Sequence, residues 1–202
     1  MQLVDLIKCY DNVIPDHYCD YFVQFYDNHA STHAIKYHHG FYDQAPDFSE
    51  LVFTTFSNSQ EHVRFNNHIA IMLGQAATKY KDEFPLKNNF FPKQYTFEFL
   101  RIKKYENNGI DEFKVHCDAD SVCSSARFMN IFCYLNDVED GGETDFPDLG
   151  ISFKPKKGSV VIFPPYWFFP HQGNKPLSGP KYLLATNLHH SNCSDCNGCL
   201  VK

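Results

Sequence analysis

The stretch Arg127 to Leu135, RFMNIFCYL, constrains this chain more than any other. Both alternating sets of side chains are largely apolar, so as a strand it has no face to give to water. It has to be covered on both sides, in the middle of a layered fold. The flanking sequence has the same texture. Tyr95 to Tyr105 is aromatic and β-branched, with apolar residues on both faces. Asn136 to Gly142 reads as a turn. Ile151 to Phe153, Ser159 to Phe163 and Tyr182 to Leu188 are short strand candidates set between Pro and Gly. Aromatic residues, 20 Phe, 12 Tyr and 1 Trp, make up 16% of the 202 residues. Large rings favour strands and fill irregular interiors, so a β-rich core is expected.

The first third reads differently. Pro15-Asp16 opens a stretch with Tyr18, Phe22, Phe25 and Tyr26 at helical spacing. Ile69, Leu73, Ala76 and Tyr80 mark a second amphipathic helix, with Asn58 and Glu61 placed before it as in a capping box. Between them Ser31 to Phe56, rich in His, Tyr and Phe, reads as a long loop. The fold class expected is α+β, mainly β: N-terminal helices packed on a sandwich or barrel. A single domain over 1–202 is expected, with a helical buttress and loop at 1–94, a β core at 95–190 and a Cys-rich tail at 191–202.

With 18 Lys+Arg against 24 Asp+Glu the net charge is −6. That excludes the basic footprint of a nucleic-acid binder and the Lys/Arg bias of a membrane-surface protein. No apolar run approaches the ~18 residues that span a bilayer. Asp5, Lys8 and Asp11 interrupt the start, so a signal-peptide core is not expected there. The expected compartment is cytoplasmic, where the eight cysteines stay reduced. Cys193, Cys196 and Cys199 stand at C-x-x-C spacing, close to that of a metal site or of a solvated tail with free thiols. His29, His33, His38 and His39 read as decoration of a loop.

Three features carry chemistry. In His116-Cys117-Asp118, residues i and i+2 of a strand point the same way, so an imidazole and a carboxylate can share one metal ion. Alone the triplet is weak, since about one H-x-D is expected by chance in a chain of this composition. A surface His beside a turn Asp is the plainer reading. His171 follows the stiff segment Pro164-Pro165-Tyr166-Trp167-Phe168-Phe169-Pro170. Two His and one carboxylate with open positions form the facial triad of non-haem Fe(II) oxygenases, although a loop His capping a carbonyl has the same sequence. Lys181 opens the strand KYLLATNL; buried, its ammonium needs a partner, and otherwise it reaches water at the sheet margin.

In order along the chain, these residues resemble the prolyl 4-hydroxylase-like branch of the Fe(II)- and 2-oxoglutarate-dependent dioxygenases. Tyr105-Glu106-Asn107-Asn108-Gly109 is similar to the family's Y-x-x-G turn, with one residue more. Phe113 to Asp118 resembles its aromatic-x-x-H-x-D strand. Arg127 to Asp137 resembles R-x-x-T-x-x-x-Y-L-N-D. Gly141 to Phe146 matches G-G-E-T-x-F, and Lys154 to Phe163 resembles the P-K-x-G strand. His171 to Pro176 and Gly179 to Tyr182 resemble H-x-G-x-P-V and G-x-K-Y.

The resemblance implies a double-stranded β-helix, or jelly-roll, with helices on one sheet. It implies His116, Asp118 and His171 as Fe(II) ligands, and Lys181 with the Tyr105 hydroxyl on the far carboxylate of 2-oxoglutarate. Succinate and CO2 are the implied co-products, with ascorbate as reductant. It implies a peptide or protein substrate, proline first, in a groove bordered by Arg127, His189, Trp167 and the Ser31–Phe56 segment acting as a lid. Departures fall on the substrate side: Phe113 stands where Tyr is usual, Asn130 where Thr is usual, and Asn187 where Trp is common. The competing readings are a hydroxylase of another side chain or a free small molecule, and a catalytically silent jelly-roll binding module. A silent module is expected to lose a ligand or the lysine, and all four are present.

Overall fold

The computed structural model describes residues 2–37, 47–56, 59–84 and 91–190. Two helices, α1 (Asp16–His33) and α2 (Gln60–Glu83), lie on one face of a large antiparallel sheet. That sheet contains β1 (Lys8–Tyr10), β2 (Ile35–Tyr37), β3 (Phe48–Val52), β4 (Tyr95–Phe97), β5 (Arg101–Tyr105), β7 (Arg127–Tyr134), β10 (Val160–Phe163) and β12 (Lys181–His190). Its order is β1-β10-β7-β12-β5-β3-β2, with β4 also paired to β12. A smaller sheet, β6-β11-β8-β9, is built from β6 (Phe113–His116), β8 (Thr144–Phe146), β9 (Ile151–Phe153) and β11 (His171–Gly173).

Alternation along the central strands explains why RFMNIFCYL is apolar on both faces. Met129, Ile131 and Cys133 face the helices with Val160, Ile162 and Leu184. Phe132 and Tyr134 point the other way, into the barrel with Val161, Phe163 and Leu183. One face of β7 is covered by α1 and α2, the other by the small sheet, which is the jelly-roll solution to a strand without a wet side.

The helices form where the periodicity predicts. Pro15 precedes α1, and Cys19, Phe22, Phe25 and Tyr26 are buried; Ile69, Leu73, Ala76, Ala77 and Tyr80 are the buried stripe of α2. The cap of α2 differs from expectation. Ser59 accepts from the backbone N–H of His62 at 3.1 Å, because its short hydroxyl folds back onto the first turn; Asn58 lies outside the described residues. The Ser31–Phe56 loop is also corrected: α1 runs on to His33, and β2 and β3 pair as a hairpin that extends the large sheet through β5. Phe48 and Leu51 are buried, and that burial overrides the loop-like composition. Residues 38–46 of that segment, His38 and His39 among them, lie outside the described residues. The N-terminal 1–94 therefore supplies three strands as well as helices. Tyr95 to Tyr105 is two strands, β4 and β5, with Glu98, Phe99 and Leu100 between them. Cys193, Cys196 and Cys199 lie outside the described residues; the five described cysteines are free thiols. No helix among the described residues is long and apolar enough to cross a membrane.

Candidate metal centre and cleft

His116 ends β6 and His171 begins β11, and the two are directly opposite in the antiparallel register. Asp118 follows β6 by two residues. The Nε2 of His116 is 3.7 Å from Asp118 Oδ1, and that of His171 is 3.3 Å from Asp118 Oδ2. One donor atom from each lies within 4.8 Å of the others, and this is the one such cluster among the described residues.

The ring orientations are fixed from behind. His116 Nδ1 donates to the Lys114 carbonyl at 2.7 Å and His171 Nδ1 to the Phe169 carbonyl at 3.1 Å. A carbonyl only accepts, so each proton sits on Nδ1 and each Nε2 lone pair faces the centre. Phe113 stacks on His116, with ring centroids 3.3 Å apart, and Phe163 packs edge-on to His171. Burial pushes the His116 pKa down to about 3, with the nearby His171 adding to the effect. A neutral imidazole is the form that coordinates a metal. Burial alone would raise the Asp118 pKa, but the two histidines overcome it and hold the carboxyl well below its usual range. Two imidazoles fixed from behind through Nδ1 and one ionised carboxylate suit a divalent ion that keeps open positions.

Asn130, read from sequence as a departure on the substrate side, bonds a member of the triad. Its Nδ2 donates to Asp118 Oδ2 at 2.6 Å. Arg127 is also drawn toward the triad: Nη1 donates to the Asp118 carbonyl at 2.9 Å, while Nε and Nη2 clamp Glu98 at 2.6 and 2.9 Å. Burial would raise the Glu98 carboxyl, yet the Arg127 bonds and charge, with Arg101 behind them, hold it below its ordinary value.

At the closed end of the barrel, Lys181 is fully buried. Its Nζ donates to the carbonyls of Gly142 at 3.0 Å and Asn174 at 3.3 Å, and lies 4.2 Å from the centroid of the Tyr105 ring. Both partners are neutral. Burial therefore lowers the lysine to about 7, opposed in part by Glu143. Gly173 keeps the approach open, since a Cβ there would stand 3.4 Å from Nζ and 3.7 Å from the Tyr105 hydroxyl. A dicarboxylate reaching from the triad toward Lys181 would supply the missing counter-charge.

The triad opens on a cleft of about 660 Å³ that includes Phe113, Arg127, Asn130 and Asn187. Glu50, Arg101 and Lys103 also line it, and none of these was singled out from sequence. The signal was there in Arg101-x-Lys103-x-Tyr105, three side chains on one face of a strand. Two expected substrate contacts are elsewhere. Trp167 is 79% exposed, and His189 lies past a register shift in β12; neither lines the cleft. His29 and His33 belong to α1 and pack around Phe56.

Two imidazoles and a carboxylate beside an open cleft are the donor set of the non-haem Fe(II) oxygenases, here mounted between the sheets of a jelly-roll. Residues 100–189 match the family model of the 2OG-Fe(II) oxygenase superfamily. The chain is similar to that superfamily over these residues, just under half of its length.

Among its relatives, a probable prolyl 4-hydroxylase 11 of Arabidopsis thaliana is 32% identical over 108 residues, 48% of this chain and 36% of that protein. A putative prolyl 4-hydroxylase of Acanthamoeba polyphaga mimivirus is 31% identical over 81 residues, 33% of this chain and 34% of that protein. The matches thus span about a third of the length of these curated relatives. Among solved structures, the viral collagen prolyl hydroxylase of Paramecium bursaria Chlorella virus-1, in its 2OG complex, superposes with a TM-score of 0.68 at 20% identity. The match covers 92% of this chain and 97% of that one. A Trichoplax adhaerens prolyl hydroxylase in complex with a hypoxia-inducible-factor peptide gives 0.68 at 12% identity, covering 92% and 84%. At these identities the structural likeness establishes the fold.

Proposed function

We propose that this chain is a 2-oxoglutarate- and O2-dependent hydroxylase of a peptide or protein, with a prolyl ring carbon as the first target and succinate and CO2 as co-products. The observation that carries the reading is the cluster of three metal-type donors beside the cleft, with a buried lysine that has no ionic partner close to the same strand: His171 belongs to the triad, and a Cβ on Gly173, two residues on in β11, would stand 3.4 Å from Lys181 Nζ. Bound Fe(II) would supply the open coordination positions at which O2 is activated against 2-oxoglutarate.

The chain's residues do the rest. His116, Asp118 and His171 hold the ion, with their geometry set by the Lys114 and Phe169 carbonyls and by Asn130. Lys181 and the Tyr105 hydroxyl receive the far carboxylate, which fixes the depth and direction of the co-substrate. Phe113, Phe146 and Phe163 wall the site and exclude water, so that a reactive oxygen meets a C–H bond rather than solvent. Arg127 holds the Asp118 loop through its carbonyl and shapes the entrance. A substrate C–H has then only to be oriented over the triad, which decides the product more than affinity does. We propose a reducing, cytoplasmic setting, with ascorbate keeping the iron ferrous.

The test is anaerobic loading with Fe(II), then O2, ascorbate and 2-oxoglutarate with a library of proline-containing peptides. Expected are succinate formation and one added oxygen on a peptide, traced by mass spectrometry. No succinate from protein that binds Fe(II) and 2-oxoglutarate would overturn the reading. A second reading, a polar side chain or small molecule as target, is favoured by Asn187, whose amide makes that wall of the cleft small and polar.

A further inference from the structure

One wall of the cleft is a ladder of charges that metal and co-substrate binding do not require. It runs Lys103, Glu50, Arg101, Glu98, Arg127, across β5, β3 and β7. Arg127 clamps Glu98 with two bonds. Arg101 reaches Glu98 at 3.3 Å and Glu50 at 3.5 Å, and also donates to the Phe99 carbonyl. Lys103 stands at the end, 4.0 Å from Glu50, too far for a hydrogen bond. Three cations thus share two carboxylates. The other acids of the cleft are committed elsewhere: Asp118 to the triad and Asn130, and exposed Asp120, at the rim, to Ser124.

The excess positive charge resides on Lys103. Among the described residues its ammonium has no hydrogen-bond acceptor, while every other cation of the ladder has at least one. It is held over the Phe48 ring at 4.8 Å and the Phe113 ring at 5.8 Å, and Phe113 in turn stacks on His116. Lys103 shares a strand face with Tyr105, one inward-facing position nearer the entrance, and its side chain is 19% exposed. It is therefore close to the triad, pre-positioned on aromatic faces, with its N–H donors open to the cleft.

We propose that Lys103 is a substrate-anchoring residue that receives a carboxylate of the substrate, selecting peptides with an acidic residue adjoining the hydroxylated one. The inference rests on the hydroxylase reading above. Carboxylate is the matching chemistry, because a charge-assisted bond restores balance along the ladder and places the peptide within reach of the triad. A carboxylate of the co-substrate is the other source. The far one has Lys181 and the near one lies at the metal, which leaves Lys103 to the substrate.

The test compares two proline peptides that differ only in Glu or Gln beside the proline. Binding is measured by calorimetry to the full chain loaded with Mn(II) and 2-oxoglutarate. The wild type is expected to hold the Glu peptide about tenfold or more tightly, the worth of one charged hydrogen bond. Lys103→Met is expected to bring the ratio to about one, and Lys103→Arg to restore most of it; Lys103→Gln replaces the Met variant if circular dichroism shows that one unfolded. Equal or equally absent binding of the two peptides by the wild type overturns the proposal, as does a ratio that persists in Lys103→Met. A raised KM for 2-oxoglutarate in that variant with the peptide ratio unchanged also overturns it, and assigns the cation to the co-substrate. Failure of the hydroxylase reading shows separately, as a wild type that forms no succinate with Fe(II) and 2-oxoglutarate.

Discussion

Binding of 2-oxoglutarate should take up a proton, and Lys181 is the reason. With no carboxylate present the lysine is enclosed by neutral carbonyls and the Tyr105 ring, and its pKa sits at about 7 because burial disfavours the charge. A bound carboxylate selects the ammonium and returns it to the ordinary lysine range, roughly 10.4 or above. The sign follows. Below pH 7 the site is already charged and affinity is flat. Above pH 7 each binding event must first protonate the amine, so the apparent Kd rises tenfold per unit. Between pH 7 and pH 9 the loss is about fifty-fold, and at pH 8 close to 0.9 proton is taken up per ligand. The assay is anaerobic calorimetry of the Mn(II)-loaded protein in two buffers of different ionisation enthalpy. Lys181→Met serves as control: it should weaken binding by about 3–5 kcal/mol, a hundred- to a few-thousand-fold, and abolish the pH step. A flat affinity from pH 6 to pH 9 with no proton uptake would show that the far carboxylate lies elsewhere, or that Lys181 is not isolated in the empty site.

Other expectations rest on single contacts. His116→Ala should eliminate stoichiometric divalent-metal binding while circular dichroism and thermal unfolding stay close to wild type, because the ring borders a cleft rather than the packed core. Asn130→Ala removes the 2.6 Å bond to Asp118 and should weaken metal binding by about 10- to 100-fold, as loss of a ligand-orienting partner does; unchanged affinity would make Asn130 a spectator. Arg127→Ala leaves Glu98 buried without its clamp and frees the Asp118 loop, so 2-oxoglutarate turnover without peptide and peptide hydroxylation should fall together, with destabilisation of about 3 kcal/mol by urea titration. Loss of peptide hydroxylation alone would return Arg127 to a purely substrate-facing role. Gly173→Val should raise the KM for 2-oxoglutarate with little change in metal affinity, since its side chain would occupy the approach to Lys181 Nζ.

Sequence carried the centre of the fold and the donors of the site, and missed most of what orients them. The run 127–135 is legible because two-sided burial leaves no other option. His116, Asp118, His171 and Lys181 are legible through their order among flanking turns. The hairpin β2-β3 was read as loop because Lys36, Ser49 and Glu50 give it no clean alternation; pairing with β5 and burial of Phe48 decide its state. Glu98 lies on no strand, and its role appears only when Arg127 reaches across from β7. Arg127 itself is assigned to the substrate by resemblance, as a position the prolyl hydroxylases use near the peptide. Three of its nitrogens are engaged here, which a sequence cannot disclose. Trp167 reads as an aromatic wall for a proline ring, yet it is largely exposed and does not line the cleft.

What holds the site together is register. His171 meets His116 only because β11 pairs with β6 in one particular alignment, and a slip of one residue would turn the imidazole out of the barrel. On the inner face Phe113 stacks on His116 and Phe163 packs edge-on to His171. On the outer face the strand that carries His171 is tied to β8. Asp145 on β8 accepts from Ser152 of β9 at 2.6 Å and from Asn174 at 2.6 Å, with Gln172 of β11 at 3.4 Å. Burial would raise this carboxyl, but those three bonds hold it below its usual value, as an acceptor tied to both neighbouring strands should be. The Gly142 N–H to the Lys175 carbonyl and the Asn174 N–H to the Glu143 carbonyl, at 2.9 and 2.8 Å, fasten the next residues. Gly141, with φ +71°, makes the turn that permits the first of these, because a Cβ there would run into the Lys175 carbonyl. The polar side of the small sheet thus holds β11, which carries His171, against β8, while the β6 pairing sets His171 opposite His116. That leaves the cleft wall free to carry charges, Lys103 among them, chosen for what they bind rather than for what they stabilise.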